Sequence, residues 1–307
     1  MAVITSMSGY GDVSTAPASQ TIPDAAVLTG TNVVGKVYGD NPSMYLPYVS
    51  QNTAAEIVAE GAEIKEGEAA ANQLAIQTQK VAVLQVFTNE SAARSTGTPN
   101  TVGGEGGQIT TLLSTSLQRA LITKANAILW QNPAPAEGKP ESKPTGLFNY
   151  PGTIQGGTIT NKLDPIVDAI AQISTNGGTP TTLVMNYGTW AYLLKLRDGD
   201  GTLVIAPDVA NAPAPQLFGL TVRLDTMAPD NKILVYGPQD VYSSVSDVAG
   251  ARTTDRYFER DSFAVRFTFR FGWGIPYPDH LAVVPVNTGT DNGTTTNITD
   301  VKIEAKK

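Results

Sequence analysis

Between residues 261 and 280 the chain reads DSFAVRFTFRFGWGIPYPDH, and its side chains alternate. Phe263, Val265, Phe267, Phe269, Phe271 and Trp273 fall on one parity, and Ala264, Arg266, Thr268, Arg270 and Gly272 on the other. Successive side chains of a strand point to opposite faces, so the pattern predicts a long strand with an aromatic face and a basic, hydroxylated one. A different period governs residues 108–130. There Ile109, Leu112, Leu113, Leu117, Ala120, Leu121 and Ile128 follow the i, i+3, i+4 stripe of a one-sided helix. GGEGG (103–107) opens that helix, and the proline- and glycine-rich NPAPAEGKPESKPTG ends it in a surface excursion.

Upstream, residues 44–60 and 74–90 predict two strands. The charged, glycine-punctuated GAEIKEGEAAANQ between them carries no core face, so the segment reads as a long hairpin with an acidic tip. Residues 1–43, rich in Ser, Thr, Ala and Gly, predict an extended arm that needs a partner to order it. A second block opens at Asp164–Pro165, read as an N-cap followed by proline at the first helical position, and Asn176-Gly177-Gly178 closes that helix. TTLVMN predicts a buried strand, Asn186 a cap for the helix YGTWAYLLKLRDG, and TVRLDT and KILVYG two more strands. This alternation implies an α/β or α+β unit. The polar stretch after Val286 reads as an appendage.

The 307 residues can hold one large domain or two ordinary ones, and 41% apolar against 16% charged residues suits a folded protein. A net charge of −7 argues against a dedicated nucleic-acid binder, although a local basic face remains compatible with it. The absence of cysteine removes disulfides, thiolate catalysis and cysteine metal sites. The N-terminal stretch has neither the basic nor the apolar region of a secretory signal, and no apolar run approaches the ~20 residues of a membrane span. A soluble product of a cytoplasm is expected, with no membrane partner.

Candidate chemistry is sparse. His280 is the single histidine, at a proline-punctuated strand end, and reads as structural. GGEGG lacks the Lys-Ser/Thr of a phosphate loop and reads as a hinge. RDGDG (197–201) offers Asp198, Asp200 and Gly201 of a calcium loop but neither its third oxygen ligand nor its glutamate, and reads as a tight turn. The cluster Glu56, Glu60, Glu63, Glu66 and Glu68 around Lys65 lies on a predicted exposed hairpin and reads as a solvated or partner-facing surface. Three Asn-x-Ser/Thr triplets carry no meaning without a secretory signal. No catalytic, cofactor or metal site is expected.

Several of these stretches, in order, resemble the major capsid proteins of tailed bacteriophages with the Hong Kong 97-like fold. IVAEGAEIKEGE (57–68) resembles the family's extended loop, KVAVLQVFTNES (80–91) the strand before its spine helix, and KPTGLFN (143–149) the turn after it. LVMN (183–186) with RDGDG and LFGLTVR (217–223) follows the central domain, and ERDSFAVRFTFRFGWGIPYPDHLAVV resembles the closing strand. The similarity covers roughly residues 20–285.

The resemblance implies an α+β chain with six parts. These are an N-terminal arm (1–43), an extended hairpin loop with flanking strands (44–90), a peripheral domain with the spine helix and sheet (91–160), and an axial α/β domain (161–250). The closing strand and its return (251–286) and a polar tail (287–307) complete it. It further implies a non-enzymatic shell protein forming hexamers and pentamers of an icosahedral head around double-stranded DNA, assembled in the host bacterial cytoplasm. Portal and scaffolding proteins would be partners, with a decoration protein as an optional addition. Glu60, Glu63, Lys65, Glu66 and Glu68 of the loop and Arg266 and Arg270 of the closing strand are the expected assembly contacts.

Chain 1–307 carries no coiled-coil scaffolding segment before the arm, which implies a separate scaffolding protein unless a propeptide has been cleaved. Some relatives weld a loop lysine to a neighbour's asparagine. Lys65 is available here, but no asparagine lies between Asn231 and Asn287, so a non-covalent shell is expected. An encapsulin-type nanocompartment shell and an α/β enzyme with an unrecognised site are the alternatives.

Overall fold

The computed structural model describes residues 13–51, 70–88, 106–136, 143–197, 205, 215–253 and 258–288. Strand β1 (Val13–Ala16), the single-turn helices α1 (Ala18–Thr21) and α2 (Ala26–Thr29) and strand β2 (Asn32–Lys36) come first. Strands β3 (Ser43–Gln51) and β4 (Ala70–Thr88) precede the long helix α3 (Gly106–Gln131). Then come β5 (Ile154–Gln155), α4 (Asp164–Thr175), β6 (Thr182–Met185) and α5 (Tyr187–Lys195). Strands β7 (Gln216–Leu217), β8 (Leu220–Leu224) and β9 (Lys232–Tyr236) follow. The last are β10 (Tyr242–Val245), β11 (Val248–Thr253), β12 (Ser262–Gly274) and β13 (Ala282–Pro285).

The alternating ribbon is β12, and it lies inside the first sheet. β4 runs along one edge of it from Ser262↔Thr88 to Gly272↔Thr78, while β11 and then β10 pair along the other edge, so backbone polar groups are met on both sides. The sheet order is β1-β11-β12-β10-β2, with β4 against β12 and β3 against β4. β4 serves two partners in succession, β3 along Ala70–Gln77 and β12 along Thr78–Thr88. At the changeover a Cβ on Gly272 would stand 2.2 Å from the Gln77 carbonyl oxygen, so no side chain fits there. The hairpin strands are thus seen as Ser43–Gln51 and Ala70–Thr88, and its tip (52–69) falls outside the described residues.

The second sheet, β5-β13-β9-β6-β8-β7, is apolar on both faces. Leu183, Met185, Ile233, Val235, Ala282 and Val284 pack with α4 and α5. The opposite parity, Val184, Leu234, Tyr236 and Val283, joins the core of the first sheet with Phe269, Phe271, Trp273 and helix α3. This explains why KILVY reads as a continuous apolar run. β10 and the start of β11 fall within 161–250 yet pair in the first sheet, and β5 pairs in the second.

Two local readings need correction. Ala120, placed on the stripe of α3, is exposed. The buried line is Leu117, Leu121, Ala125 and Ile128, and from Ala125 to Trp130 the helix is buried on all sides because its end enters the shared core. Asp164 is not the N-cap of α4: Leu163 holds that position, and Asp164 lies in the first turn, where its carboxylate favours the helix dipole. Asn186 does cap α5, accepting from the Gly188 amide at 3.2 Å.

Candidate assembly surface

The even parity of β12 sets Arg266, Thr268 and Arg270 opposite Leu84, Ala82 and Lys80 of β4. With the β2 end and the following turn they line an open cleft of about 530 Å³ whose charged residues are Lys36, Lys80, Arg266, Arg270, Asp40 and Asp247. Asp40 is held between two cations, 3.1 Å from Lys80 Nζ and 3.5 Å from Arg270 Nη2. Lys80 and, less strongly, Arg270 hold its carboxyl below the usual range. Its stabilising contribution is therefore present at neutral pH and lost as pH falls through its lowered value; full exposure keeps it small and salt-sensitive. Lys36 lies 2.8 Å from Asp247, whose hydrogen bond raises the ammonium above its ordinary value.

The two arginines differ. Arg270 is mostly buried (16% side-chain exposure) and also donates from Nη1 to Thr78 Oγ1 at 3.0 Å, so it braces its own subunit. Arg266 is exposed and makes no ion pair among the described residues. With four cations against two carboxylates, the cleft has an excess positive charge that suits an acidic partner. Glu60, Glu63, Lys65, Glu66 and Glu68 lie outside the described residues, so the structure brings together only the strand members of the expected set. Of the aromatic parity, Phe269, Phe271 and Trp273 are buried in stacked succession, ring centroids 5.0 and 5.8 Å apart, whereas Phe263, Val265 and Phe267 are half-buried.

Sequence reasoning missed a buried polar joint. Asp225, just past β8, accepts from Asn126 Nδ2 at 3.0 Å and Trp130 Nε1 at 2.8 Å through one oxygen, and from the Met227 amide at 2.8 Å through the other. Asn126 in turn accepts from the Ala26 amide at 2.8 Å. The carboxylate pins the end of α3 to the second sheet and to α2. The available signal was a polar residue, Asn126, inside an apolar helical face. The Gly of KPTGLFN is explained as well: a Cβ on Gly146 would stand 2.4 Å from the Asn132 amide nitrogen, where the chain folds back on the end of α3.

Among the described residues no group of three or more His, Asp or Glu is placed to hold a metal, and no helix is long and apolar enough to cross a membrane. Asp198, Asp200, Gly201 and most of GGEGG lie outside the described residues.

A sequence profile described as the phage capsid family matches residues 33–286. No curated protein matches. Among solved structures, one from Gordonia phage Cozz superposes with a TM-score of 0.63 at 14% identity, covering 85% of this chain and 86% of that one. A chain described as the capsid of an empty GTA particle gives 0.61 at 15% identity, covering 85% and 89%. One from Mycobacterium phage Bobi gives 0.58 at 18%, covering 85% and 90%.

Proposed function

Starting from a chain that belongs to the phage capsid family and has the Hong Kong 97-like fold, hence a structural shell component of a virion, we propose that it forms the hexamers and pentamers of an icosahedral head enclosing double-stranded DNA. Assembly takes place in the host cytoplasm with a portal and a separate scaffolding protein, and the finished shell leaves room for a decoration protein. The role is structural, without catalysis.

The observation that carries this reading is the presence of unlike charge on two elements of one chain. The segment 52–69 adds five glutamates and one lysine, while the outward face of β4 and β12 has surplus cations centred on Arg266. Within one subunit β4 carries the hairpin away from that face, so the complement is met by a neighbouring copy. Glu60, Glu63, Glu66 and Glu68 then lie against Arg266 and the rim of the Arg270 cleft, and Lys65 finds acidic groups beside them. Such contacts are individually weak and salt-sensitive, and act through repetition around the shell.

The test is to replace residues 55–67 by a short turn. This leaves the Gln51↔Ala70 end of the β3–β4 ladder and everything beyond it intact. The subunit is expected to fold with unchanged far-ultraviolet circular dichroism yet give no closed particles. Normal particles from this variant contradict the proposed contact.

A further inference from the structure

The chain passes between its two sheets at β9–β10 and again at β12–β13, and each crossing contains a single 3-10 turn, Pro238–Asp240 and Pro278–His280. The last residues of these two turns meet. His280 Nδ1 lies 3.5 Å from Asp240 Oδ1, with side chains 12% and 16% exposed. On the other side of the ring, Nε2 lies 3.1 Å from the carbonyl of Asn176, the C-cap of α4. Gly178 makes room for this: a Cβ there would stand 2.9 Å from His280 Cγ. The imidazole stacks on Tyr277 at 5.0 Å, Tyr277 meets Tyr48 edge-on at 6.0 Å, and its hydroxyl donates to the Val49 carbonyl in β3.

Both ring nitrogens therefore face acceptors. A neutral imidazole has one N–H and one lone pair, so whichever tautomer forms, one nitrogen presents its lone pair to an oxygen. Two protonations remove the conflict: the imidazolium, which donates both ways and suits the negative end of α4, or a proton kept on Asp240 and donated to Nδ1. Asp240 Oδ2 and His280 Nδ1 are buried without a hydrogen-bond partner, as expected of a site that is one proton short. We propose that His280 and Asp240 form a proton-operated clasp that ties the two crossings to each other and to the loop-side end of the β3–β4 ladder, closed in acid and loosened as pH rises.

The carboxyl chemistry has the required sign. Burial raises Asp240 above its ordinary value and the nearby His280 only partly offsets this. A raised group contributes stability that is complete below its unfolded value and disappears as pH rises through the folded one. The remaining charged groups do not replace Asp240. Asp279 is exposed on the same turn, and its carbonyl accepts from Asn176 Nδ2 at 3.2 Å. Gln239 is neutral and donates to the Thr179 carbonyl, and Lys36 of β2 is engaged by Asp247. The clasp belongs to the subunit and does not rest on assembly.

The test compares backbone amide exchange in the dissociated full-length protein at about pH 4 and about pH 8, on either side of a carboxyl raised above its ordinary value, corrected for intrinsic exchange rates, in wild type, His280→Gln and Asp240→Asn. Wild type is expected to protect β3 residues 46–51 better in acid than in alkali, the direction set by the raised Asp240 carboxyl, and both variants to lose that difference. An equal acid-to-alkaline ratio in all three proteins, or none in wild type, overturns the clasp. If His280→Gln fails to fold, the sole imidazole gives one ring-proton resonance to follow; a titration of that ring unchanged by Asp240→Asn also overturns it.

Discussion

Asp225 concentrates more of the interior's polar bonding than any residue the sequence singled out. It satisfies Asn126, Trp130 and the Met227 amide at once, from a site 8% exposed. Truncating it leaves two side-chain donors and one amide buried without an acceptor. Asp225→Ala should therefore lower subunit stability by on the order of 3 kcal/mol, read as a drop in the urea midpoint. Asp225→Asn should cost less, because its amide oxygen still accepts. A midpoint unchanged in the alanine variant would contradict this account of the joint. Nothing in the sequence marks Asp225 for this role: Asn126 and Trp130 lie 99 and 95 positions away, and its neighbours TVRL resemble any short strand. His280, by contrast, was legible as structural from its proline-punctuated setting, although its partner Asp240 was not.

Strand β12 and helix α3 were legible because each repeats its own period over many residues, and the period is set by backbone geometry rather than by partners. The structure adds where each period stops mattering. Phe269 is 1% exposed within the shared core, whereas Phe267, on the same parity two residues earlier, is half-buried. Phe269→Ala should cost about 3–5 kcal/mol and Phe267→Ala about half as much, compared by thermal melting of the two subunits. Equal losses would mean that the core extends evenly along the strand. Partner choice was not legible. That β4 leaves β3 for β12 at Thr78, or that Ala120 lies just outside the buried line of α3, depends on chain segments far away in sequence. The acidic tip reads as a surface from its lack of a core face, and it lies outside the described residues.

Taken whole, the described residues form two sheets sharing one apolar layer, with α3 and Asp225 holding them together. The excess positive charge around Arg266 and the negative charge of segment 52–69 are the groups that the proposed contact between copies brings together. With no asparagine between Asn231 and Asn287 to receive Lys65, the expectation is a shell held without covalent bonds. Mature particles boiled in detergent should run as one band near 32.3 kDa, and a ladder of multiples would direct attention to asparagines outside the closing strand. Negative-stain electron microscopy of the purified full-length protein tests self-assembly most directly. Hexameric and pentameric capsomers or closed icosahedral shells are the predicted result, and a field of monomers or dimers under all salt conditions would contradict the reading of this chain as a shell protein.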